Sequence, residues 1–132
     1  EIGFFSVGSN PVFFFESGDG INPAGGVTIG RNGTVVEQIK KYTASALFTG
    51  GGGAGTVSWQ EVIVSLTADS ARPVRPAQDI VTICPTSTVP AQAIAWTARI
   101  TATDQVTIRL AWYDVYFGST IDWLILIHRM EA

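Results

Sequence analysis

The alternation of apolar and polar residues predicts β-strands along most of the chain. From Val57 to Ile127, β-branched and aromatic runs are broken by turn residues at intervals of about eight to twelve positions, the spacing typical of a sandwich or barrel. No long window shows a convincing helical period. The predicted strands are Ile2–Val7, Val12–Glu16, Thr34–Lys40, Thr43–Phe48, Thr56–Leu66, Ile80–Ile83, Ala93–Thr101, Gln105–Phe117 and Thr120–Arg129.

The segment from Val35 to Ala46 is the strongest helical alternative. It contains good helix formers such as Glu37 and Lys40, but most of its other residues are β-branched or aromatic and favour strands. Glycines flank the segment on both sides. We therefore predict two short strands here rather than a helix.

The predicted strand that begins at Ala93 has a specified register with the strand that follows it. A three-residue loop, 102–104, places four apolar pairs opposite one another, namely Ile100 with Val106, Ala98 with Ile108, Trp96 with Leu110 and Ile94 with Trp112. A two-residue loop would mix the faces, since a slip of one residue turns every side chain to the other side of the sheet. The first register is therefore predicted.

The last two predicted strands are expected to form a hairpin through Gly118 and Ser119. This pairing places Trp112 opposite Ile125 on the core face. The outer face of the hairpin is also apolar, and a strand that is apolar on both sides must be covered on both. Either a second sheet or a neighbouring subunit can cover it, and the low charge of the chain favours a subunit. The interface residues predicted there are Tyr113, Leu124 and Leu126.

The N-terminal segment, residues 1–26, is expected to be an arm or assembly segment that precedes a sandwich domain at 27–132. Five of the seven phenylalanines lie in its first fifteen residues. An exposed arm of this kind would promote aggregation, so it either lies on an adjacent subunit or completes the chain's own sheet, and both alternatives stay open. The arm residues predicted at a subunit interface are Phe4, Phe5, Phe13, Phe14 and Phe15.

Composition indicates a surface that other protein partly covers. Of 132 residues only 14% are charged, against roughly 25% in ordinary soluble domains. The formal net charge is −3, with eight Lys and Arg scattered along the chain, which excludes the basic footprint that nucleic-acid binding needs. No apolar run is long enough to span a membrane, so we expect no membrane insertion.

Cysteine and histidine chemistry is almost absent from the sequence. Cys84 is the single cysteine and His128 the single histidine, so neither a disulfide within the chain nor a zinc site is expected. A Cys84/His128 dyad is formally possible, but a thiol that ends an apolar run is usually a small buried hydrophobe. A serine triad would also need His128 and lacks a nucleophile elbow.

Paired carboxylates offer little more. Asp114 and Asp122 are the nearest pair for glycoside hydrolysis. The predicted hairpin turns them to opposite faces, whereas a loop one residue longer would bring them together. Asp69 and Asp79 flank a segment containing Arg72 and Arg75 and are expected to form surface ion pairs with one or the other of these arginines. We therefore predict no enzymatic activity, no metal and no cofactor.

Tryptophan offers the strongest candidate for ligand binding, because an exposed indole can stack on a sugar ring. Trp96, Trp112 and Trp123 fall on the predicted core face. Trp59 is followed by a change of phase in the alternation, which we interpret as a β-bulge. Trp59 is therefore the candidate contact for a glycan. The glycine-rich stretch Gly50–Gly55, which precedes it, is interpreted as a flexible, linker-like loop.

An ordered set of segments carries a resemblance to a known family. The segments are Val27–Ile39, Tyr42–Phe48, Ser58–Val64, Asp79–Pro85, Ala98–Arg109 and Ile121–Trp123. In this order they resemble a small β-sandwich domain that recurs in tailed-phage virion proteins, in tail fibres and in head fibres or decoration proteins. The resemblance covers about residues 27–127; the first 26 residues lie outside it.

That resemblance implies a non-enzymatic module that forms a homotrimer and is exposed on the virion surface. Together with the strand pattern it predicts an all-β, antiparallel and jelly-roll-like sandwich. The implied partners are copies of the same chain and other virion proteins. The alternative function is a carbohydrate-binding, lectin-like head that recognises a host-surface glycan, and a hydrolase is a third hypothesis.

Overall fold

The computed structural model describes residues 2–7, 10–15, 27–28, 35–70 and 73–130, with side chains from Ile39 to Arg129. These ranges contain strands and no helix. The strands are β1 (Ile2–Val7), β2 (Asn10–Phe15), β3 (Val27–Thr28), β4 (Val35–Phe48), β5 (Val57–Ser65), β6 (Asp79–Pro85), β7 (Ala93–Ala102), β8 (Gln105–Tyr113) and β9 (Ser119–Met130).

The strands form three antiparallel sheets. β1 pairs with β2 alone, a four-stranded sheet has the order β3-β4-β9-β6, and a three-stranded sheet has the order β5-β8-β7. The two larger sheets share one hydrophobic core, an arrangement compatible with a β-sandwich. The all-β prediction is confirmed.

The core lies between the central strands of the two larger sheets. β9 contributes Ile121, Trp123, Ile125 and Ile127, and β8 contributes Val106, Ile108, Leu110 and Trp112. Alternation along each strand places every second side chain inward, as the period of two requires. Burial of each branched side chain stabilises the fold by about 1.5–3 kcal/mol.

One long strand, β4, replaces the two short strands predicted around residue 40. Tyr42, Ala46 and Phe48 are buried in it and Ala44 packs against the core, while the odd-numbered residues from 41 to 47 are exposed. This alternation confirms a strand over a helix. The ladder with β9 is irregular only between Val36 and Gln38, so the chain continues through Lys40 and Lys41 without the predicted break.

The register predicted for β7 and β8 is confirmed over most of the ladder. Ile100 lies opposite Val106 and Trp96 opposite Leu110. The connecting turn is one residue shorter than predicted, and an irregularity between Ile100 and Ala102 takes up the extra residue. The predicted partner of Trp112 is wrong, because a second irregularity places Ala93 there and leaves Ile94 exposed.

The predicted hairpin between β8 and β9 is wrong, because the two strands belong to different sheets. β8 lies between β5 and β7, and β9 lies between β4 and β6. Trp112 and Ile125 are both core residues, but they lie in facing sheets rather than side by side. This arrangement gives each apolar strand two lateral neighbours and one opposing layer, so more of its surface is buried than in a hairpin at the edge of a sheet.

The connection between these strands, Asp114–Gly118, is an arch that crosses from one sheet to the other. It requires left-handed backbone at its ends, with φ of 72° at Asp114 and 85° at Gly118. Tyr116 in its middle is buried and packs edge-on against Trp112, with ring centroids 5.3 Å apart. The arch is therefore anchored in the core.

The glycine-rich loop at Gly50–Gly55 is hydrogen-bonded to this arch. The prediction of a flexible, linker-like loop is therefore wrong. The Gly51 amide donates to the Tyr116 carbonyl at 2.7 Å, and the Tyr116 amide donates back at 3.1 Å. The Trp112 Nε1–H donates to the Gly51 carbonyl at 3.0 Å. A side chain at Gly50 would collide with the Tyr116 carbonyl, so glycine permits the close approach of the two loops.

A buried ion pair joins β6 to the end of β9. The Asp79 carboxylate accepts hydrogen bonds from Arg129 Nε and Nη2 and from the Arg75 amide, the last two at 2.7 Å. Burial opposes ionisation of Asp79, but these hydrogen bonds outweigh it and hold its pKa below the ordinary value. The prediction of a surface pair between Asp79 and Arg75 is wrong, because the partner is Arg129 and Arg75 contributes its backbone.

The strands of the N-terminal segment pair with each other, with Phe4 opposite Phe13. The side chains of Phe4, Phe5, Phe13, Phe14 and Phe15 lie outside the described residues. Their place at a subunit interface, and the arm itself, stay predictions.

Candidate interaction surfaces

The outer face of the three-stranded sheet is rich in exposed aromatic, apolar and arginine side chains. We call it the Trp59 face, formed by Val57, Trp59, Glu61, Ile63, Arg109, Ala111, Tyr113, Ala95, Thr97 and Arg99. The ladder between β5 and β8 is regular throughout. The β-bulge predicted after Trp59 is therefore wrong: Ile63 simply points outward, 64% exposed, between two inward-facing valines.

Trp59 is 58% exposed, and its indole lies under a guanidinium group. The Arg109 guanidinium carbon is 4.1 Å from the centre of the ring, a cation–π contact. Arg109 is in turn fixed by Glu61, which accepts from its Nε at 3.1 Å and from Nη2 at 2.8 Å. The arrangement holds Trp59 in place on a face that is otherwise open.

Glu61 forms ion pairs with two arginines, Arg109 and Arg99. Besides Arg109, the Arg99 guanidinium donates to both its carboxylate oxygens, at 2.9 and 3.3 Å. The hydrogen bonds from Arg99 and then Arg109 hold the pKa of Glu61 below its ordinary value. Two positive charges therefore meet one negative charge at the centre of the Trp59 face.

Two of the predicted core tryptophans are buried and the third lies at the rim. Trp112 and Trp123 are fully enclosed, whereas Trp96 is 38% exposed. Trp96 lies on the edge strand β7 and contacts Trp123 edge-on, with ring centroids 6.2 Å apart. It faces the core but has only one lateral strand to cover it.

The predicted interface residues lie on two separate outer faces. Tyr113 is half-exposed on the Trp59 face. Leu124 and Leu126 are half-buried on the outer face of the four-stranded sheet, each between side chains of β4 and β6 in the ladder. The prediction that these three residues share the outer face of one hairpin is wrong, because the strands that carry them do not pair.

The four-stranded sheet also exposes apolar side chains toward its ends. Ile39 and Ile80 lie on either side of His128 in the ladder, and both are more than half exposed. Leu47 is exposed at the other end of β4. Neither outer face of the sandwich is therefore the polar surface expected of a solitary antiparallel domain.

Candidate catalytic residues are not brought together. Cys84 pairs with Leu124 and Ile80 with His128 in the ladder, so thiol and imidazole lie four residues apart along the sheet, about 13 Å. Asp114 accepts a hydrogen bond from the Gly55 amide at 3.2 Å, while Asp122 accepts from the Ser45 hydroxyl on another sheet face. The hairpin that was predicted to turn these two carboxylates to opposite faces is not formed, because β8 and β9 lie in different sheets.

Within residues 2–7, 10–15, 27–28, 35–70 and 73–130, no group of three His, Cys, Asp or Glu side chains is placed to hold a metal ion. Over the same ranges there is no helix with the length and apolarity needed to cross a membrane.

Beside the arch lies a shallow groove of about 540 Å³. Pro90, Gln92 and Tyr116 contribute to its walls, and the side chain of Phe117 forms part of its rim. Phe117 itself is 91% exposed, the highest value among the exposed large hydrophobic residues of the described chain. The strand pattern of the sequence predicted Phe117 at the end of a strand and gave no indication of the groove or of the exposed side chain.

Comparison with protein-family models, with curated proteins and with solved structures gives no match for this chain.

Proposed function

We propose that the chain is a non-enzymatic structural domain of a phage particle, a homotrimeric fibre or capsid-decoration domain exposed on the virion surface. One observation carries the assembly part of this proposal: large apolar side chains are exposed on both outer faces of the sandwich and on the arch. Ile39, Leu47 and Ile80 lie on one face, and Trp59 and Ile63 lie on the other.

Self-assembly is favoured because this apolar surface coincides with a low charge. Monomeric soluble proteins rarely leave large contiguous apolar patches open, and exposed patches of this kind mark interfaces. At 14% charged residues the chain has few groups to keep such surfaces in water. Sister chains and neighbouring virion proteins are partners of matching chemistry.

The topology supports the jelly-roll-like part of the proposal. β4 pairs with β9, and within that pair in sequence β5 pairs with β8, so the pairings are nested. The chain changes sheet between β4 and β5, between β5 and β6, and again between β6 and β7. A long hairpin rolled on itself produces this pattern, which is the principle of a jelly roll. The assignment to a phage particle is supported by the ordered sequence resemblance.

The mass of the chain in solution tests the assembly. Light scattering coupled to size-exclusion chromatography is expected to give a species of three 14.1 kDa chains. A species that stays monomeric over a wide concentration range would overturn the proposal. Labelling of intact phage particles by an antibody to the chain tests the location, and absence of label from particles containing the protein would refute surface display.

A second candidate function, glycan binding, is favoured by the exposed Trp59 indole. Its contact with Arg109 fixes the ring beside hydrogen-bonding groups, the combination that sugar recognition uses. A glycan array is expected to show binding that Trp59→Ala abolishes while the mass is unchanged. Ile63→Ala is the matched control, because Ile63 lies two residues away on the same face and is equally exposed. Absence of binding by the unmodified chain would remove this candidate.

A further inference from the structure

The two arginines of the Trp59 face are more exposed than the carboxylate that joins them. The side chains of Arg99 and Arg109 are 57% and 41% exposed, whereas that of Glu61 is 25% exposed. Each guanidinium donates two of its N–H groups to Glu61 and keeps the others. Solvent therefore meets the positive groups first, and two arginines against one glutamate leave this face positive on a chain whose formal net charge is −3.

A low floor of small side chains lies beside the exposed indole. Ala111 of β8 is opposite Trp59 of β5 and also opposite Ala95 of β7. Since neighbouring strands lie about 4.8 Å apart, this floor extends about 10 Å from β5 to β7. Arg109 and Tyr113 are the outward-facing neighbours of Ala111 along β8. The floor therefore has an aromatic ring at one side, a cation at one end and a phenol at the other.

These groups together match the parts of a sugar that carries a carboxylate. Arg109 lies over the indole of Trp59, but Trp59 is still 58% exposed, so much of the ring is open to the apolar face of a sugar. A guanidinium binds a carboxylate through paired, charge-assisted hydrogen bonds. The half-exposed Tyr113 can exchange a hydrogen bond with a sugar hydroxyl.

Charge disfavours two other occupants of this face. A second copy that presented the same face would set arginine against arginine, and like charges brought together across an interface cost binding free energy. A nucleic-acid strand needs a basic track along its backbone, whereas the cations of the Trp59 face are only Arg99 and Arg109, both bound to the same glutamate. A single carboxylate is the anion that fits so compact a cluster.

We propose that the Trp59 face binds an acidic sugar, whose ring stacks on Trp59 and whose carboxylate accepts hydrogen bonds from Arg99 and Arg109. This inference rests on the second candidate function, glycan binding, and deepens it by naming the class of glycan. Uronic acids and sialic acids share this chemistry, a carboxylate on a saccharide ring.

A glycan array tests the preference for an acid. It carries oligosaccharides that end in a uronic or a sialic acid, beside the same oligosaccharides with the carboxylate reduced to a neutral alcohol. The chain is expected to bind acidic members and to lose roughly tenfold or more in affinity for their reduced counterparts, because the charge-assisted hydrogen bonds are lost. This difference is expected to shrink as salt is added, since exposed charges are screened.

Replacement of Arg99 by glutamine tests the site. Arg99→Gln leaves the pair between Glu61 and Arg109 in place. In calorimetry with the best acidic glycan it is expected to weaken binding roughly ten- to hundred-fold, with little change for the reduced counterpart. Lys41→Gln is the matched control, because Lys41 is an exposed cation on β4 in the other sheet, and it is expected to bind both as the wild type does. Unchanged melting profiles verify that the variants are folded.

The outcomes separate this inference from glycan binding itself. Neutral glycans that bind as tightly as acidic ones, and that Trp59→Ala no longer binds, would overturn the acid preference and leave glycan binding in place. No binding to any glycan would overturn both. Acidic binding that Arg99→Gln leaves intact would overturn the assignment to this face. A polyglutamate peptide or a single-stranded oligonucleotide that binds as tightly as the acidic glycan would overturn the identification of the ligand as a sugar.

Discussion

Replacing Asp79 with asparagine tests whether the buried ion pair holds the end of the sandwich together. The Asp79 side chain is fully enclosed and that of Arg129 is 14% exposed. Asparagine keeps the shape but leaves the guanidinium without its counter-charge, and removing one partner of a buried pair costs about 3–5 kcal/mol. We expect the lower part of this range, about 3 kcal/mol, because Arg129 keeps its hydrogen bond to the Pro73 carbonyl and some contact with water.

Urea unfolding followed by tryptophan fluorescence measures this loss. The protein concentration must be the same for all variants, because assembly makes apparent stability depend on concentration. Asp69→Asn is the matched control: the Lys40–Asp69 pair joins side chains that are 36% and 37% exposed. A pair of that exposure is screened by solvent and contributes little to stability, so the control is expected to unfold close to the wild type.

The pH dependence gives the same reasoning a second test. Because the pKa of Asp79 is lowered in the folded state, its contribution is complete above the unfolded-state pKa and is lost as the pH falls through the folded one. The unfolding free energies of wild type and Asp79→Asn should therefore converge as the pH falls below about 3.9. A cost no larger than that of Asp69→Asn, or a difference that does not shrink on acidification, would refute the role assigned to the pair.

Two further substitutions test the loops and the core by the same unfolding assay. Gly50→Ala forces a side chain into the Tyr116 carbonyl at a φ of 75°, so we expect the free energy of unfolding to fall by more than about 2 kcal/mol. Gly53→Ala is the control, because φ is not positive there, and it should change stability by less than about 0.5 kcal/mol. Equal effects would contradict the packing of the glycine-rich loop on the arch. Ile108→Ala removes a fully buried side chain and should lower the free energy of unfolding by about 2–5 kcal/mol. Ile63→Ala, at an exposed position, should change it very little. A small effect of Ile108→Ala would contradict the place of Ile108 in the core.

Local patterns predicted the strands and one hairpin well. The register of β7 on β8 followed from matching apolar faces across a short loop, where the sequence separation is small and a slip exposes every core residue. The two departures, at Ile94 and Thr101, are irregularities at the ends of the ladder. Alternation alone does not locate such irregularities, because the small or polar residues beside them fit either face.

Pairings distant in sequence were not accessible to the same reasoning. β8 and β9 each present one bulky apolar row, and such rows fit together equally well side by side in a hairpin or face to face across a core. The choice depends on β4, β5 and β6, which supply the lateral partners, the first from more than seventy residues away in the ladder with β9. The Asp79–Arg129 pair, fifty residues apart, was missed for the same reason.

The candidate surfaces also differ in whether local sequence or distant strand pairing determines them. Trp59 was found because its polar neighbours interrupt the alternation, although the cause is an exposed Ile63 and not a bulge. The exposure of Phe117 was not predicted, because the hairpin prediction placed this residue at the end of a strand. Once the chain crosses between sheets, five residues must span the thickness of the core, and their backbone is pinned by Gly51 on one side and Phe48 on the other. With Tyr116 turned inward, Phe117 faces out, so the same crossing that buries the middle of the arch leaves an apolar side chain exposed beside it.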